Sequence, residues 1–187
     1  MLDPTHVSPP RPPALQLARW TVSSGSNARS RGAVILDAGD HQWRASAEGN
    51  GAIDALYRAV DKALSEVLEG HPRLLAYDIH ALGEGTDTIG AVTVRIAPPD
   101  AAGERGRGEY GGEARGPNII AASIEAYIIA LNQMLDEAHW SGAPEAAAET
   151  GKRARPKTTV TAGAAREQRA ELDEDAGELD TVDWFNQ

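Results

Sequence analysis

The sequence predicts an α+β fold built from two βββα repeats related as a pseudo-twofold pair. Three observations carry this. Strand-like segments separated by Gly and Asn turn signals lead into a segment with helical periodicity, and the same succession then recurs along the chain. A shift of 67 positions also matches the two helical segments, pairing Gly49 with Gly116, Ile53 with Ile120, Ala55 with Ala122, Ala59 with Ala126, Ala63 with Ala130 and Leu64 with Leu131. Six identities in sixteen positions exceed chance, and two halves suit a twofold pair better than a solenoid.

Taken in order, residues 15–23 are rich in apolar and β-prone side chains, residues 32–36 form an apolar run, and residues 42–47 alternate. Gly49-Asn50-Gly51 then opens a helix. Ile53, Leu56, Tyr57, Val60, Leu64, Val67 and Leu68 follow at steps of three and four, which defines one buried face, and Gly70 with Pro72 ends it. The second half repeats the plan, with a strand over 74–82, a turn over 83–87 and a strongly alternating strand over 88–96. A Gly- and Arg-rich segment at 103–116 precedes the second helix, whose buried stripe is Ile120, Ile124, Tyr127, Leu131, Met134 and Leu135.

Outside this domain, placed at 15–140 with repeats 15–70 and 71–140, the composition changes. Residues 1–14 hold five of the eleven prolines and read as an extended leader. Residues 141–187 pass from Ala, Glu, Thr and Gly through a basic cluster (Lys152, Arg153, Arg155, Lys157) to an acidic run, and are expected to be disordered because they bury too little apolar surface. Trp184 and Phe185 close that run, either as idle aromatics of a solvated tail or as a short docking motif.

Composition excludes several function classes. A chain of 187 residues is too short for a full β/α barrel, which takes about 250. With no Cys there is no disulfide scaffold, thiolate metal site or thiol nucleophile, and the reducing cytoplasm is the expected compartment. No apolar run reaches the roughly 18 residues of a membrane span, so no membrane partner is expected. The net charge of −10 disfavours nucleic acid, since phosphate binding needs clustered Lys and Arg. Residues 103–116 resemble an RNA-binding Gly-Arg tract in composition, but their three Glu offset their three Arg.

Candidate chemistry is sparse. Asp78 and His80 share a strand face, without a nucleophile or metal-ligand set beside them. His6, His41, His71 and His139 are scattered, so no catalytic or metal centre and no cofactor is expected. The alanines at i, i+4 and i+8 in both helices read as small residues that let a neighbouring helix approach. Gly49-Asn50-Gly51 has two readings. A Gly-flanked helix start exposes backbone N–H groups suited to a carboxylate; equally, it is a tight turn with Gly51 as N-cap and Asp54 favouring the helix dipole. Asn118 occupies the N-cap position of the second helix, where a capping role needs no ligand.

The segments EGNGAIDALYRAV, LLAYDIHALGEGTDTIGAVTVRI and GPNIIAASIEAYIIALNQ resemble, in order and spacing, the C-terminal regulatory (allosteric dimerisation) domain of 2-isopropylmalate synthase, and related citramalate synthases carry a similar domain. Ala52 stands where that family often has Pro, and Asn118 where it often has Asp. The resemblance implies a homodimer that binds a branched-chain amino acid, leucine foremost, and controls a synthase of leucine biosynthesis, the module either standing alone beside a separate catalytic chain or being cut from its enzyme. It implies that Gly49, Asn50, Gly51, Ala52 and Ile53 contact the effector. It adds Tyr77, His80, Ala81 and Asp87 from the middle block, which Gly85 also matches, and Ile119, Ala122 and Ser123 from the last. The metal-binding barrel of the synthases has no counterpart in the sequence, so the chain is expected not to catalyse alone. The alternative is a ligand-free dimerisation module that recruits partners through its Trp-Phe tail.

Overall fold

The computed structural model describes residues 14–85, 88–100, 102, 106–140, 143 and 154–156. Along the chain run β1 (Gln16–Gly25), β2 (Ala28–Ala38), β3 (His41–Gly49), α1 (Ala52–Ala63), α2 (Ser65–Leu68), β4 (Arg73–Leu82), β5 (Ile89–Ala97), β6 (Tyr110–Gly116), α3 (Ile119–Leu135) and a short β7 (Ala154–Pro156). The predicted βββα succession is present twice, each time as an antiparallel meander followed by a helix.

Each helix covers its own sheet. α1 lies on β2 and β3, and α3 lies on β5 and β6. The apolar stripe explains the seating of α1, since Leu56, Val60 and Leu64 are fully buried and each such side chain contributes about 1.5–3 kcal/mol by leaving water. The first helical segment is longer in the sequence than in the fold. Its helix breaks at Leu64 and resumes as α2, which ends at Glu69 in a left-handed conformation (φ 55°) just before Gly70.

Ala55, Ala126 and Ala130 lie with their backbone close against strands. A Cβ on Gly32 would lie 2.9 Å from the Ala55 carbonyl carbon, one on Gly49 would collide with the Ala55 backbone nitrogen, and one on Gly112 would fall on the Ala126 carbonyl oxygen. Glycine in the strand and alanine in the helix bring backbone against backbone within each repeat.

Across the repeats, the helices meet through aromatic and polar side chains. Tyr57 stacks on Tyr127 at a centroid distance of 4.3 Å. The Tyr57 hydroxyl donates to the Ser123 carbonyl (3.0 Å), and the Tyr127 hydroxyl donates to Asp61 Oδ1 (2.6 Å). Both hydrogen bonds join residues 66 apart, close to the repeat shift of 67, and one helical turn on α1 corresponds to one turn on α3. The helices therefore run parallel, with their N-termini at one end. A single core takes residues from both sheets and both helices, including Val34, Leu56, Val92, Ile124 and Leu131.

One feature differs from expectation. The third strand of the second repeat, β6, lies inside the Gly- and Arg-rich segment. Beyond residue 140, Ala143 is buried and Ala154–Pro156 pair antiparallel with His41–Trp43 on the edge of β3. An open strand edge offers unpaired backbone groups, which is why a segment of such composition can join a sheet. The remainder of 141–187, including Trp184 and Phe185, and residues 1–13 lie outside the described residues.

Candidate functional site

The two helix starts lie at the same end of the molecule but are finished differently. α3 is capped by its own side chain, since Asn118 Oδ1 accepts from the backbone nitrogens of Ile120 (3.0 Å) and Ala121 (3.2 Å). α1 begins at Gly51, which has no side chain to cap it, in an extended conformation (φ −158°, ψ 171°). Asp54 reaches back to accept from the Asn50 backbone N–H at 2.8 Å and pairs with Arg58 at 3.0 Å. Burial pushes the Asp54 carboxyl up, but the Asn50 N–H and Arg58 outweigh it and hold the group below its usual range. Thus the loop is braced by Asp54, while the first N–H groups of α1 keep no side-chain acceptor.

The three glycine-loop positions have separate jobs. Gly49 is buried and sterically required where β3 passes α1. Asn50 is exposed, whereas Gly51, Ala52 and Ile53 are half-buried. A Cβ added at Gly51 meets nothing within 4 Å, so that glycine leaves open space at the helix start.

Tyr77 reaches the other helix. Its hydroxyl lies 2.7 Å from Ser123 Oγ, and Ser123 Oγ in turn donates to the Ile119 carbonyl at 2.6 Å. A hydroxyl carries one hydrogen, so with the serine proton on Ile119, Tyr77 is the donor to Ser123 and keeps its lone pairs for another donor. Ser123 and Ala122 are buried and Ile119 is half-buried, so the start of α3 and the middle of β4 form one patch. His80 lies apart from it. The β4–β5 register sets Tyr77 opposite Val94 and His80 opposite Ala91, and alternation places Tyr77, Ile79 and Ala81 on one face of β4 with Asp78 and His80 on the other. Asp87 lies outside the described residues. Among the described residues no cluster of three His, Asp or Glu side chains is arranged to hold a metal.

β4 is also the exposed edge of its sheet. Leu74, Leu75, Ile79 and Leu82, with Ile89 at the start of β5, are each 41–49% exposed. An apolar edge strand of this kind invites a covering partner.

Sequence reasoning does not single out Asp61. It sits on the buried side of α1 one turn beyond Tyr57, and an acidic residue inside an apolar stripe is the signal that could have found it. Burial pushes its carboxyl up to about 6, against the lowering pull of the Tyr127 hydroxyl, His71 and Arg58. A folded value above the unfolded one, 3.8, means that folding favours the protonated acid. Stability is then fully present at pH below the unfolded value and is lost as pH rises through about 6, by roughly 3 kcal/mol for a shift of about two units. Asp61→Asn is expected to flatten this slope and to stabilise the protein at neutral pH by about 1–3 kcal/mol, read from urea unfolding across the same range.

Comparison with known proteins follows the same lines. The sequence profile of the LeuA allosteric (dimerisation) domain matches residues 5–135. A 2-isopropylmalate synthase of Methylobacterium nodulans is 34% identical over 137 residues, covering 72% of this chain and 24% of the relative. One of Salinibacter ruber is 35% identical over 124 residues, covering 66% of this chain and 21% of the relative. The chain thus spans under a quarter of the length of these curated relatives.

Proposed function

The chain belongs to the LeuA allosteric (dimerisation) domain family, and from that premise we propose that it acts as a regulatory dimerisation module which binds a branched-chain amino acid, leucine foremost, and controls a synthase of leucine biosynthesis in the cytoplasm. The observation that carries the effector reading is the pairing of an uncapped α1 start with the Tyr77–Ser123 pair at the same end of the two parallel helices. The backbone N–H groups after Gly51 suit the carboxylate, and the Tyr77 lone pairs suit the ammonium. Ile79, on the Tyr77 face of β4, offers apolar surface to a branched side chain.

Dimerisation through β4 completes this reading. A second copy covering Leu74, Leu75, Ile79, Leu82 and Ile89 removes the apolar edge from water and closes the effector site beside Tyr77. His80, on the opposite face of β4, then reaches an effector only from the partner copy or through its backbone. Ile79→Glu combined with Leu82→Glu is expected to convert the dimer to a monomer, checked by sedimentation equilibrium against the protomer mass of 19.8 kDa. Isothermal titration of the whole chain with leucine, isoleucine and valine tests the effector role. A dimer that binds none of the three would leave a structural dimerisation module instead.

A further inference from the structure

Behind the Tyr77–Ser123 pair a continuous chain of contacts runs through the seam between the repeats. Tyr77 meets Ser123 Oγ, and the Ser123 carbonyl accepts from Tyr57. Tyr57 stacks on Tyr127, and Tyr127 donates to Asp61. Ser123, Tyr57, Tyr127 and Asp61 are all at least nine-tenths buried, and Tyr77 is half-buried. The chain ends in a groove of about 650 Å³ between α1 and the start of β4, lined in part by Asp61, Arg58, Lys62, His71 and Leu74. Asp61 lines this groove together with Tyr57 and Tyr127, so protons have access to it from there.

We propose that Asp61 is a proton-binding site linked through Tyr127, Tyr57 and Ser123 to effector binding at Tyr77, so that the module binds its amino acid more tightly when Asp61 is ionised. The proposal rests on the effector reading above. Its physical basis is the single hydrogen bond that Tyr127 donates to Asp61. A charged acceptor makes that bond shorter and roughly twice as strong as a neutral one. It therefore holds the Tyr127 ring against Tyr57, which in turn holds the first turns of α3 and the Ser123 hydroxyl in place for Tyr77. Protonating Asp61 weakens the anchor, and the effector must then order the seam itself. By reciprocity, effector binding drives a proton off Asp61.

The groups that face Asp61 are consistent with this assignment. Arg58 on its own helix and His71 on the segment before β4 favour the ionised form, with His71 Nδ1 3.9 Å from Asp61 Oδ2. Tyr127 comes from α3. Lys62 bonds the Ser46 carbonyl of β3, and Glu48 of β3 lines the same groove. Asp61 is the buried carboxylate among them, and burial drives its pKa toward neutral pH.

Titration calorimetry with L-leucine on the whole chain, at about pH 5 and about pH 7.5, tests the link. Leucine itself stays a zwitterion across this window. The wild type is expected to bind at least about fivefold more weakly at the lower pH, the low end of measured coupling between sites. Near pH 6 it is expected to release protons on binding, detected by repeating the titration in buffers of different ionisation enthalpy. Asp61→Asn is expected to lose both effects. Tyr127→Phe keeps the stacked ring and the buried acid, so its unfolding stays pH-dependent while its leucine affinity no longer does. His71, whose Nδ1 lies 3.9 Å from Asp61 Oδ2, is tested beside them as His71→Gln, which is expected to keep the pH dependence. Equal wild-type affinity at both pH values overturns the link and leaves the effector site intact, as does persistence of the pH effect in Asp61→Asn. No leucine binding at any pH removes the effector reading and the link together.

Discussion

Gly112→Ala is expected to leave little folded protein, and Gly112→Val none, as judged by far-UV circular dichroism and hydrophobic dye binding. The added Cβ falls on the Ala126 carbonyl oxygen and lies 2.7 Å from the Ala130 backbone nitrogen. Neither atom belongs to a side chain that can turn away. Relief requires lifting α3 off β6, which exposes Ala126, Ala130 and the core beneath them. Overpacking against side chains typically costs about 1–3 kcal/mol, and a collision with helix backbone exceeds that. Against a total stability of about 5–15 kcal/mol, such a loss is decisive. The neighbouring glycine supplies the control. A Cβ on Gly111 comes no closer than 3.7 Å to any atom outside its neighbours, so Gly111→Ala is expected to fold normally. If both variants fold equally well, the close seating of α3 on β6 is wrong.

Gly51→Leu is expected to abolish effector binding, with at least a hundredfold loss of affinity, while changing stability by no more than about 1 kcal/mol. Gly51 has an extended backbone that any residue adopts, and a side chain there enters open space. That space is where an amino acid on the α1 N–H groups must sit. The variant therefore separates fold from binding, which Gly49 does not allow. Gly49→Ala collides with the Ala55 backbone and is expected to unfold, so its loss of binding would carry no information about the site. Calorimetry with leucine and a thermal melt, run on the same Gly51→Leu sample, give the answer. Retained affinity would remove the α1 start from the effector site.

Residues with a strong local period are legible in the sequence. The stripe from Leu56 to Leu68 and the alternation of 88–96 correspond to α1, α2 and β5, because an amphipathic element must bury one face wherever it packs. β6 is harder to see. Its Tyr-Gly-Gly-Glu-Ala-Arg-Gly has few β-prone residues, and Gly112 reflects the approach of α3 rather than a turn. The same cause separates Gly49 from Gly51. They look alike in the sequence, yet one is pressed against Ala55 and the other faces open space.

The order of elements, the duplication and the small-residue stripes follow from the chain alone, since each depends on neighbours within a turn or a strand. The state of Asp61 does not. Its burial, its Tyr127 partner and its raised pKa all come from α3, 66 residues further on, laid parallel to α1. The split of Tyr77 and His80 onto opposite faces likewise depends on the register of β4 against β5. Periodicity encodes which face of an element is apolar, whereas dielectric surroundings and hydrogen-bond partners belong to pairs of elements and exist only once those elements have docked.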